Sequence, residues 1–397
     1  MHSIDKTRFR PGVQRHRHHH PAAIASTNTS PISIDLPMSS QYTAYAYTHH
    51  GPPATVLNTT QLPLPTTSAL SSTHLLIRTT SLALNPIDHK FMLNTALGWT
   101  GLITKPSVPC EDVSGVVEWA GDEVKEEFAV GTKVWGVVDA PDQMKRGGTL
   151  GEYALLNSAH AIPLPTEGQV GLVDAGGLGC SSLTAYQALV QDGGLREGHR
   201  VFVNGASGGV GTMAIQIAKH IVGPRGVVVG ACSAKNVELV MELGADDVVD
   251  YTAGDLGKQL AVKYGKEPFD LVLDTVGIDD LYHASPKFLK AEGGKFVNVG
   301  AEVTSLSDIL RLSSSMIPKL LQPTWLGGTP RPYIFSALKI TKDKLEAVNT
   351  MVRDGVLRVI VDSKWEFGKR ESVIGAFEKI MGKRTRGKVL IVVRDEE

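Results

Sequence analysis

A glycine-rich loop is the first feature of this sequence whose residue types and spacing could do chemistry. Residues 201–211 read VFVNGASGGVG, an apolar strand followed at once by glycines that open a helix, with Ala206 in the place of the first glycine of G-x-G-x-x-G. Such glycines let the backbone approach a pyrophosphate, and free amides at the helix N-terminus favour its negative charge. Strand, loop, helix and second strand in this order predict a dinucleotide site, with a ligand-free turn as the alternative. The expected contacts are Ala206, Ser207, Gly208, Gly209, Val210 and Gly211.

The end of the next strand bears on the choice between the two nicotinamide dinucleotides. A site selective for NAD places Asp or Glu about 20 residues after the glycines, against the ribose 2′-hydroxyl. Here the strand ends in residues 230–236, GACSAKN, without a carboxylate. Ser233 can donate a hydrogen bond, Lys235 can pair with a 2′-phosphate, and Tyr251 closes the following strand. These groups predict NADP(H), the alternative for Lys235 being a solvated residue at a helix start.

The composition excludes several classes of protein. The 397 residues carry 40 Lys and Arg against 41 Asp and Glu, a balance that argues against binding to a nucleic-acid backbone. No apolar run approaches the roughly 18 residues of a membrane span. The three cysteines form no Cys-x-x-Cys pair, and their scarcity predicts a reducing compartment.

The first 40 residues differ from the rest of the sequence. They are rich in Ser, Thr, Pro and His and contain only two acids, Asp5 and Asp35, beside four arginines between residues 8 and 17. We predict a disordered tail over residues 1–40, with Met38 as a natural start, and hence a cytoplasmic protein. A mitochondrial transit peptide is the alternative, although four prolines leave little room for an amphipathic helix.

The elements that must position the glycine loop follow from hydropathy patterns. Up to about residue 165 the chain shows short strands and turns, which predict a β-barrel-like domain. From about residue 170, strands and helices alternate in the manner of right-handed βαβ units with a parallel sheet. The predicted strands are Ser72–Leu84, Asp112–Trp119, Thr132–Val138, Arg200–Asn204, Gly226–Ala231, Asp247–Asp250, Phe269–Leu273, Lys295–Val299, Tyr333–Ala337 and Lys388–Val393. The predicted helices are Ser181–Gln191, Val210–His220, Asn236–Leu243, Lys342–Asp354 and Ala376–Met381.

Together these residues resemble the medium-chain dehydrogenase/reductase superfamily over residues 42–395. Supporting segments are Asn85–Asp88, Gly115–Gly121, Val130–Gly136, Gly151–Tyr153, Leu183–Tyr186, Leu243–Asp246, Asp270–Gly277 and Arg386–Leu390. The resemblance implies an α/β protein with a GroES-like β-barrel catalytic domain, residues 41–166 and 339–397. A Rossmann NADP-binding domain with a doubly wound parallel sheet, residues 167–338, interrupts it. A homodimer is typical of what the resemblance implies.

The superfamily includes zinc alcohol dehydrogenases, from which this chain departs. Those enzymes carry Gly-His-Glu before the glycine that is here Gly115, whereas this chain has Cys-Glu-Asp, with Glu111 in the place of the ligand histidine. Their first ligand cysteine lies near residues 85–88, where this chain has none. Because a catalytic zinc site needs three protein ligands, we predict a site without metal.

Without zinc, the chain looks like the quinone oxidoreductase and enoyl reductase branch, and it is similar to the reticulon-interacting mitochondrial oxidoreductases. Residues 85–92 resemble the stretch of stand-alone fungal polyketide enoyl reductases that carries an active-site lysine, which makes Lys90 the candidate for oxyanion stabilisation or proton donation. Asn85 and Asp88 are expected to orient this loop, and Thr184 resembles the threonine that contacts the nicotinamide side. The structural alternatives are a surface lysine, an Asn-Pro turn with a capping Asp, and a helix-start hydroxyl.

These residues predict hydride transfer from NADPH to a small-molecule enone, enoyl compound or quinone. One alternative is a trans-acting enoyl reductase of a polyketide pathway, and another is an NADPH-binding sensor or scaffold without turnover. Beyond the glycine loop, the residues expected at the cofactor are Ser233, Lys235, Tyr251, Val276, Gly300 and Lys388. We interpret Cys110 and Cys180 as buried small apolar residues.

Overall fold

Short strands and turns make up the first part of the folded chain, as the sequence predicted. The computed structural model describes residues 41–94, 103–300, 319 and 321–395, so the predictions for residues 1–40 lie outside the described residues. The strands are β1 (Gln41–Ala46), β2 (Asn58–Pro63), β3 (His74–Leu84), β4 (Asp112–Ala120), β5 (Lys133–Val137), β6 (Tyr153–Asn157) and β7 (Ala161–Pro163), with helices α1 (Pro53–Val56), α2 (Pro86–Leu93) and α3 (Ala140–Arg146). Strands β1 and β2 form an antiparallel pair, and the other five join one larger sheet.

Parallel strands and helices then alternate, which confirms the predicted doubly wound sheet. In chain order the elements are α4 (Leu172–Ala175), α5 (Gly179–Tyr186), β8 (Arg200–Asn204), α6 (Gly209–Val222), β9 (Val227–Cys232), α7 (Val237–Glu242), β10 (Asp247–Asp250), α8 (Leu256–Tyr264), β11 (Leu271–Asp274), α9 (Asp279–Ala284), β12 (Lys295–Asn298) and β13 (Tyr333–Phe335). The sheet order is β10-β9-β8-β11-β12-β13, and every neighbouring pair is parallel. The order reverses between β8 and β11, and ligands of such sheets bind at the carboxyl ends of the strands near this point. No helix in the described ranges is long and apolar enough to cross a membrane.

Strand β8 shows why this sheet was readable from the sequence. Its Val201 and Val203 point to one face and join the core cluster that contains Ile217 of α6. Phe202 points to the other face and packs in a cluster with Leu260 of α8. Because helices cover both faces, the strand has no polar side, and it appears in the sequence as a continuous apolar run.

The end of the chain returns to the first sheet through α10 (Lys342–Arg353), β14 (Val361–Glu366), α11 (Arg370–Met381) and β15 (Lys388–Val392). Strand β15 pairs antiparallel with β3 and parallel with β14, so the order is β14-β15-β3-β4-β5-β7, with β6 paired to β3. The two sheets belong to one compact unit. Strand β14 and the first half of α11 were not predicted. Strand β14 lies at the sheet edge with every side chain at least partly exposed, so it lacks an apolar alternation.

One predicted helix changes its hydrogen-bond pattern before its end, and one predicted strand ends earlier than expected. The helix predicted over Ser181–Gln191 is α5 up to Tyr186 and continues as a π-helical segment, Gln187–Asp192. The last parallel strand, predicted to reach Ala337, ends at Phe335. Gln187 begins the π-helical segment, and its side chain bonds to the residues that follow Phe335.

The Gln187 amide links three elements of the fold. Its Nε2 donates to Ser336 Oγ (3.1 Å) and to the Ala337 carbonyl (2.8 Å), just after β13. Its Oε1 accepts from the Lys339 amide (3.0 Å) and from the buried ammonium of Lys344 on α10 (2.6 Å). One side chain therefore fastens the end of the parallel sheet and the start of α10 to the π-helical segment.

Replacing this amide tests the link. We expect Gln187→Leu to lower the free energy of unfolding by about 3 kcal/mol, because it leaves a buried ammonium and a backbone amide short of an acceptor. The control is Gln191→Leu one turn later, where the glutamine is exposed and bonds only to the Asp343 carboxylate, and where the loss should stay within about 0.5 kcal/mol. Denaturant unfolding of both variants measures this, and equal losses would refute the link.

Candidate functional site

The glycine loop between β8 and α6 has the geometry of a dinucleotide cradle. Gly205 has a φ of +76°, which favours glycine, and a Cβ on Gly211 would lie 2.1 Å from the Gly205 carbonyl oxygen. At Gly208, which precedes α6 with a φ of −82°, an added Cβ would meet nothing closer than 3.4 Å. Gly211 is thus required by packing, whereas the protein itself leaves room at Gly208. The space beside Gly208 lies at the N-terminus of a 14-residue helix, where the first amides have no partner within the helix, so the loop fits a pyrophosphate.

A buried carboxylate fixes the neighbouring loop after β11. Asp274 accepts hydrogen bonds from the amides of Val276 (2.9 Å), Gly277 (3.0 Å) and Ile278 (2.7 Å), and from Asn204 Nδ2 at the end of β8 (2.9 Å). The loop is therefore held beside the strand that leads into the glycine loop. The sequence analysis did not single out Asp274 or Asn204 for this role, although both end apolar strands.

The loops after β11 and β12 touch each other. A Cβ on Gly300 would lie 2.5 Å from the Val276 carbonyl carbon, and Gly277 has a φ of +88°. The Val276 side chain remains 50 % exposed. The structure thus brings Val276 and Gly300 to the same edge of the sheet as the glycine loop, where the sequence predicted cofactor contacts.

The groups expected to select the dinucleotide lie at the ends of β9 and β10. Asn236 Nδ2 donates to Ser207 Oγ (3.0 Å) and to Ser233 Oγ (3.4 Å), which ties the glycine loop to the turn after β9. Lys235 in that turn is exposed, and Tyr251 is 51 % exposed. Cationic and hydrogen-bonding groups at this edge are available to a ligand.

One carboxylate at this edge was not weighed in the sequence analysis. Asp250 ends β10 opposite Cys232 of β9. Its Oδ1 accepts from Thr252 Oγ1 (2.7 Å) and from the Thr252 amide (2.8 Å), and these hydrogen bonds hold the pKa of Asp250 below its usual range. The carboxylate therefore stays charged, and its charge is partly satisfied within its own turn.

Beneath the glycine loop lies a set of polar side chains that we call the buried cluster. It consists of Asn85, Asp88, Glu111, Asp112, Cys180, Ser181 and Lys388. At its centre, Lys388 Nζ donates to Asn85 Oδ1 (2.6 Å), Ser181 Oγ (3.0 Å) and Asp112 Oδ2 (3.1 Å). The Lys388 and Asp112 side chains are 1 % and 0 % exposed. An ammonium has three donors, so these three acceptors use all of them.

The buried cluster touches the glycine loop directly. The Gly387 amide donates to the Ser207 carbonyl (3.0 Å). A Cβ on Gly209 would lie 3.2 Å from Ser181 Oγ and 3.3 Å from Lys388 Cδ. Lys388, which the sequence predicted at the cofactor, places its aliphatic stem under the loop and its ammonium in the cluster rather than at the phosphate position.

Glu111 and Cys180 form the second half of the buried cluster. Cys180 Sγ lies 3.1 Å from Glu111 Oε2, and the Cys180 amide donates to Asp112 Oδ1 (2.6 Å). Burial raises the pKa of Glu111 to about 7, and the Asp112 and Asp139 carboxylates act in the same direction. Burial also raises the pKa of the Cys180 thiol well above its usual range. Glu111 therefore keeps its proton to a higher pH than an ordinary glutamate, and Cys180 stays a thiol at neutral pH.

Asp88 both caps a helix and faces the buried cluster. Its Oδ2 accepts from the Asn85 amide at the start of α2 (2.6 Å), while its Oδ1 is buried without a hydrogen-bond partner. Burial, reinforced by the Glu111 charge, raises the pKa of Asp88 well above its usual range. Asn85 and Asp88 thus combine the predicted capping geometry with a place in the cluster.

Lys90 and Thr184 lie differently with respect to this cluster. Lys90 follows Asp88 by two residues, about 200° around α2, so the two side chains point to opposite sides of the helix. Thr184 follows Cys180 by one helical turn on the same face of α5 and is partly exposed. The structure therefore brings Thr184 to the cluster and directs Lys90 away from it. The Cys180 thiol, interpreted from the sequence as a buried small apolar residue, donates a hydrogen bond to Glu111. The sequence feature that could have indicated this role is its spacing of four residues from Thr184, which places both side chains on one face of α5.

The donor set of the buried cluster does not fit a tetrahedral zinc ion. Zinc takes thiolate, imidazole or carboxylate ligands. Here the thiol keeps its proton, the Asn85 carbonyl oxygen is held by an ammonium, and that ammonium would repel a second cation. Within the described ranges, no group of three or more His, Cys, Asp or Glu side chains is placed to hold a metal ion.

The two glycines of the loop give a matched test. We expect Gly208→Ala to fold normally, because its Cβ has room, and to weaken dinucleotide binding at least about 10-fold (~1.4 kcal/mol) by filling the phosphate space. Gly211→Ala should instead lower the free energy of unfolding by about 1–3 kcal/mol, because its Cβ meets backbone. NADPH titration by fluorescence and denaturant unfolding read the two effects. Unchanged affinity in Gly208→Ala would show that no pyrophosphate lies there.

Two family models match the chain. Residues 71–166 match the alcohol dehydrogenase GroES-like domain and residues 243–391 match a domain described as zinc-binding dehydrogenase. The first match confirms the fold predicted for the N-terminal sheet. The second covers part of the parallel sheet and the C-terminal segment.

Full-length relatives and solved structures agree with these matches. The medium chain reductase pydE of Acremonium is 35 % identical over 89 % of this chain and 99 % of its own length. The trans-enoyl reductase pgmF of Aspergillus terreus is 34 % identical over 83 % and 90 %, respectively. The structure of a quinone oxidoreductase from Coxiella burnetii superposes with a TM-score of 0.71 and 25 % identity, covering 89 % of this chain and all of that one. This chain therefore belongs to the medium-chain dehydrogenase/reductase family, whose members are oxidoreductases that use a nicotinamide dinucleotide.

Proposed function

We propose that this protein is an NADPH-dependent, zinc-independent reductase that transfers hydride to an α,β-unsaturated carbonyl compound or a quinone. The observation that carries the proposal is the buried cluster under the glycine loop. It offers carboxyl and thiol groups with raised pKa values and an ammonium held by three oxygens, a donor set that does not fit zinc. Reduction of an activated double bond needs hydrogen bonds and a proton at the acceptor, and it does not need a Lewis acid.

Bound NADPH supplies the hydride, and the residues of the chain orient and protonate the acceptor. Thr184, on the cluster face of α5, is placed to contact the nicotinamide end of the cofactor. Asn85 holds Lys388 and begins α2, so it positions the catalytic loop without touching the acceptor. Lys90, on the opposite side of α2 from the cluster, is assigned to stabilise negative charge only where the acceptor extends to that side.

The preference for NADPH rests on the turn after β9. Lys235 is the exposed cation of that turn, and Ser233 is held in place through Asn236. The Asp250 carboxylate lies at the end of the adjacent strand and works against a 2′-phosphate. The proposal therefore requires the attraction between Lys235 and the 2′-phosphate to exceed the repulsion by Asp250. Substitution of Lys235 tests this requirement.

A trans-acting enoyl reductase is a second candidate, and the names of two relatives favour it. The proteins named trans-enoyl reductase, pgmF and the poxH protein of Penicillium oxalicum, are 34 % and 29 % identical to this chain and match most of its length. In this reading the acceptor is an enoyl thioester attached to a carrier domain. The chemistry at the buried cluster is the same, and only the group that delivers the acceptor differs.

An acceptor panel tests the proposed function. We expect NADPH oxidation with at least one of a quinone, an enone, a 2-alkenal and an enoyl thioester, because the cluster supports all of them through an enolate or hydroquinone oxygen. A zinc chelator should leave the rate unchanged. NADPH binding without turnover of any acceptor, free or carrier-bound, would contradict the proposal and favour a sensor. Lys90→Ala, with NADPH binding retained, then shows whether that lysine takes part in turnover.

Lys235→Ala tests the cofactor preference. We expect it to raise the Kd for NADPH about 10-fold (~1.4 kcal/mol) and to leave the Kd for NADH unchanged, since only NADPH carries the 2′-phosphate. The control is Lys266→Ala, which removes the same charge from an exposed loop before β11, at the opposite edge of the sheet. If both cofactors bind to Lys235→Ala as they do to the wild type, the lysine does not select the cofactor.

A further inference from the structure

The carboxyl groups of the buried cluster differ in solvent exposure and in the hydrogen bonds that they make. Asp112 is 0 % exposed and is neutralised by Lys388, and Asp88 is 0 % exposed and turned toward the start of α2. Glu111 retains 8 % of its exposure, as does its partner Cys180. Among the described carboxyls of the cluster, Glu111 is therefore the one with both an uncommitted oxygen and a surface opening.

The position of Glu111 places that opening beside the cofactor site. Its Oε2 is bonded to Cys180 on α5, one turn before Thr184. The next residue of that helix, Ser181, lies against Gly209 of the glycine loop. A cofactor in the glycine loop, with its nicotinamide end near Thr184, brings the reacting acceptor to this side of α5.

We propose that Glu111 is the catalytic acid that protonates the reduced acceptor. The inference rests on the proposed function. Hydride addition at the β-carbon moves the double-bond electron pair onto the α-carbon and carbonyl oxygen as an enolate. The Glu111 O–H bond then breaks, and its proton forms the new C–H bond at the α-carbon or, for a quinone, the O–H bond of the hydroquinone. The glutamate regains a proton from water, so each turnover consumes one NADPH and one proton.

The surroundings of Glu111 explain why it keeps its proton up to a pH of about 7. Cys180 faces it from α5, Asp112 and Cys110 flank it, and Asp139 lies near it before α3. Asp88 faces it from α2, and Lys388 is the one cation that the described part of the cluster contains. Burial is the main cause of the raised pKa of about 7, the nearby carboxylates add to it, and Lys388 and the Cys180 hydrogen bond oppose it.

The raised pKa of Glu111 determines how kcat should change with pH. The acid form is present below pH about 7 and is lost above it. We therefore expect kcat of the wild type to decline as pH rises through about 7, with a slope approaching one decade per pH unit. Glu111→Gln has no proton to lose at this position, so this decline should be absent from its profile.

The decisive experiment compares Glu111→Gln with the wild type on an acceptor that the wild type reduces. We expect kcat to fall at least about 100-fold, with the Kd for NADPH unchanged, since the amide keeps the shape and can still accept from Cys180. In D₂O the wild type should place deuterium on one face of the α-carbon, and the variant on both. Glu111→Asp, which retains a proton, should recover part of the rate. Glu123→Gln, at an exposed glutamate, is the control for the charge change.

A second measurement does not depend on turnover. The carbonyl stretch of a protonated carboxyl, in the infrared difference between wild type and Glu111→Gln without cofactor, should titrate with a midpoint of about 7. If the wild type reduces an acceptor and Glu111→Gln does so equally well, or if the band is absent at pH 6, the inference is wrong and the proposed function stands. If the wild type reduces no acceptor, the proposed function fails and the inference falls with it.

Discussion

The fold and the site both depend on one buried ion pair, the Lys388 ammonium against the Asp112 carboxylate. Lys388 lies on β15 and Asp112 lies on β4. Asn85 and Ser181 are the other two hydrogen-bond acceptors of the ammonium. A buried pair is tolerated only when hydrogen bonds satisfy the remaining donors and acceptors. Here the ammonium uses all three donors, and the second Asp112 oxygen accepts from the Cys180 amide. The ion pair thereby fixes where β15, β4, α2 and α5 meet.

This meeting point lies under the glycine loop, and that position gives the ion pair its functional consequence. The stem of Lys388 and the Ser181 hydroxyl lie against Gly209, so the buried cluster supports the glycine loop. A shift of β15 would move the cluster and the loop together.

The buried cluster places three carboxyl groups around a single ammonium. A zinc ion would neutralise nearby anionic ligands, whereas here a single ammonium faces Asp88, Glu111 and Asp112 in a desolvated space. Of these three carboxyl groups, Asp112 is the one whose oxygen accepts directly from the Lys388 ammonium (3.1 Å). Burial raises the pKa values of Asp88 and Glu111, so these groups stay protonated to higher pH.

The parallel sheet, the glycine loop and the family could be recognised from the amino-acid sequence, because these features are local. A doubly buried strand such as Arg200–Asn204 is an unbroken apolar run, and the loop after it is read from adjacent residues. The edge strand Val361–Glu366 was missed because an exposed edge has no apolar period. The buried cluster, in contrast, is assembled only when distant segments of the chain fold together. Lys388 is separated from Asn85, Asp112 and Ser181 by 303, 276 and 207 residues, and no pattern along the chain records such a contact. Likewise, the directions of Lys90 and Thr184 follow from how α2 and α5 pack. Contacts between distant segments and the burial that sets each proton arise from the folded chain, and residue order alone does not specify them.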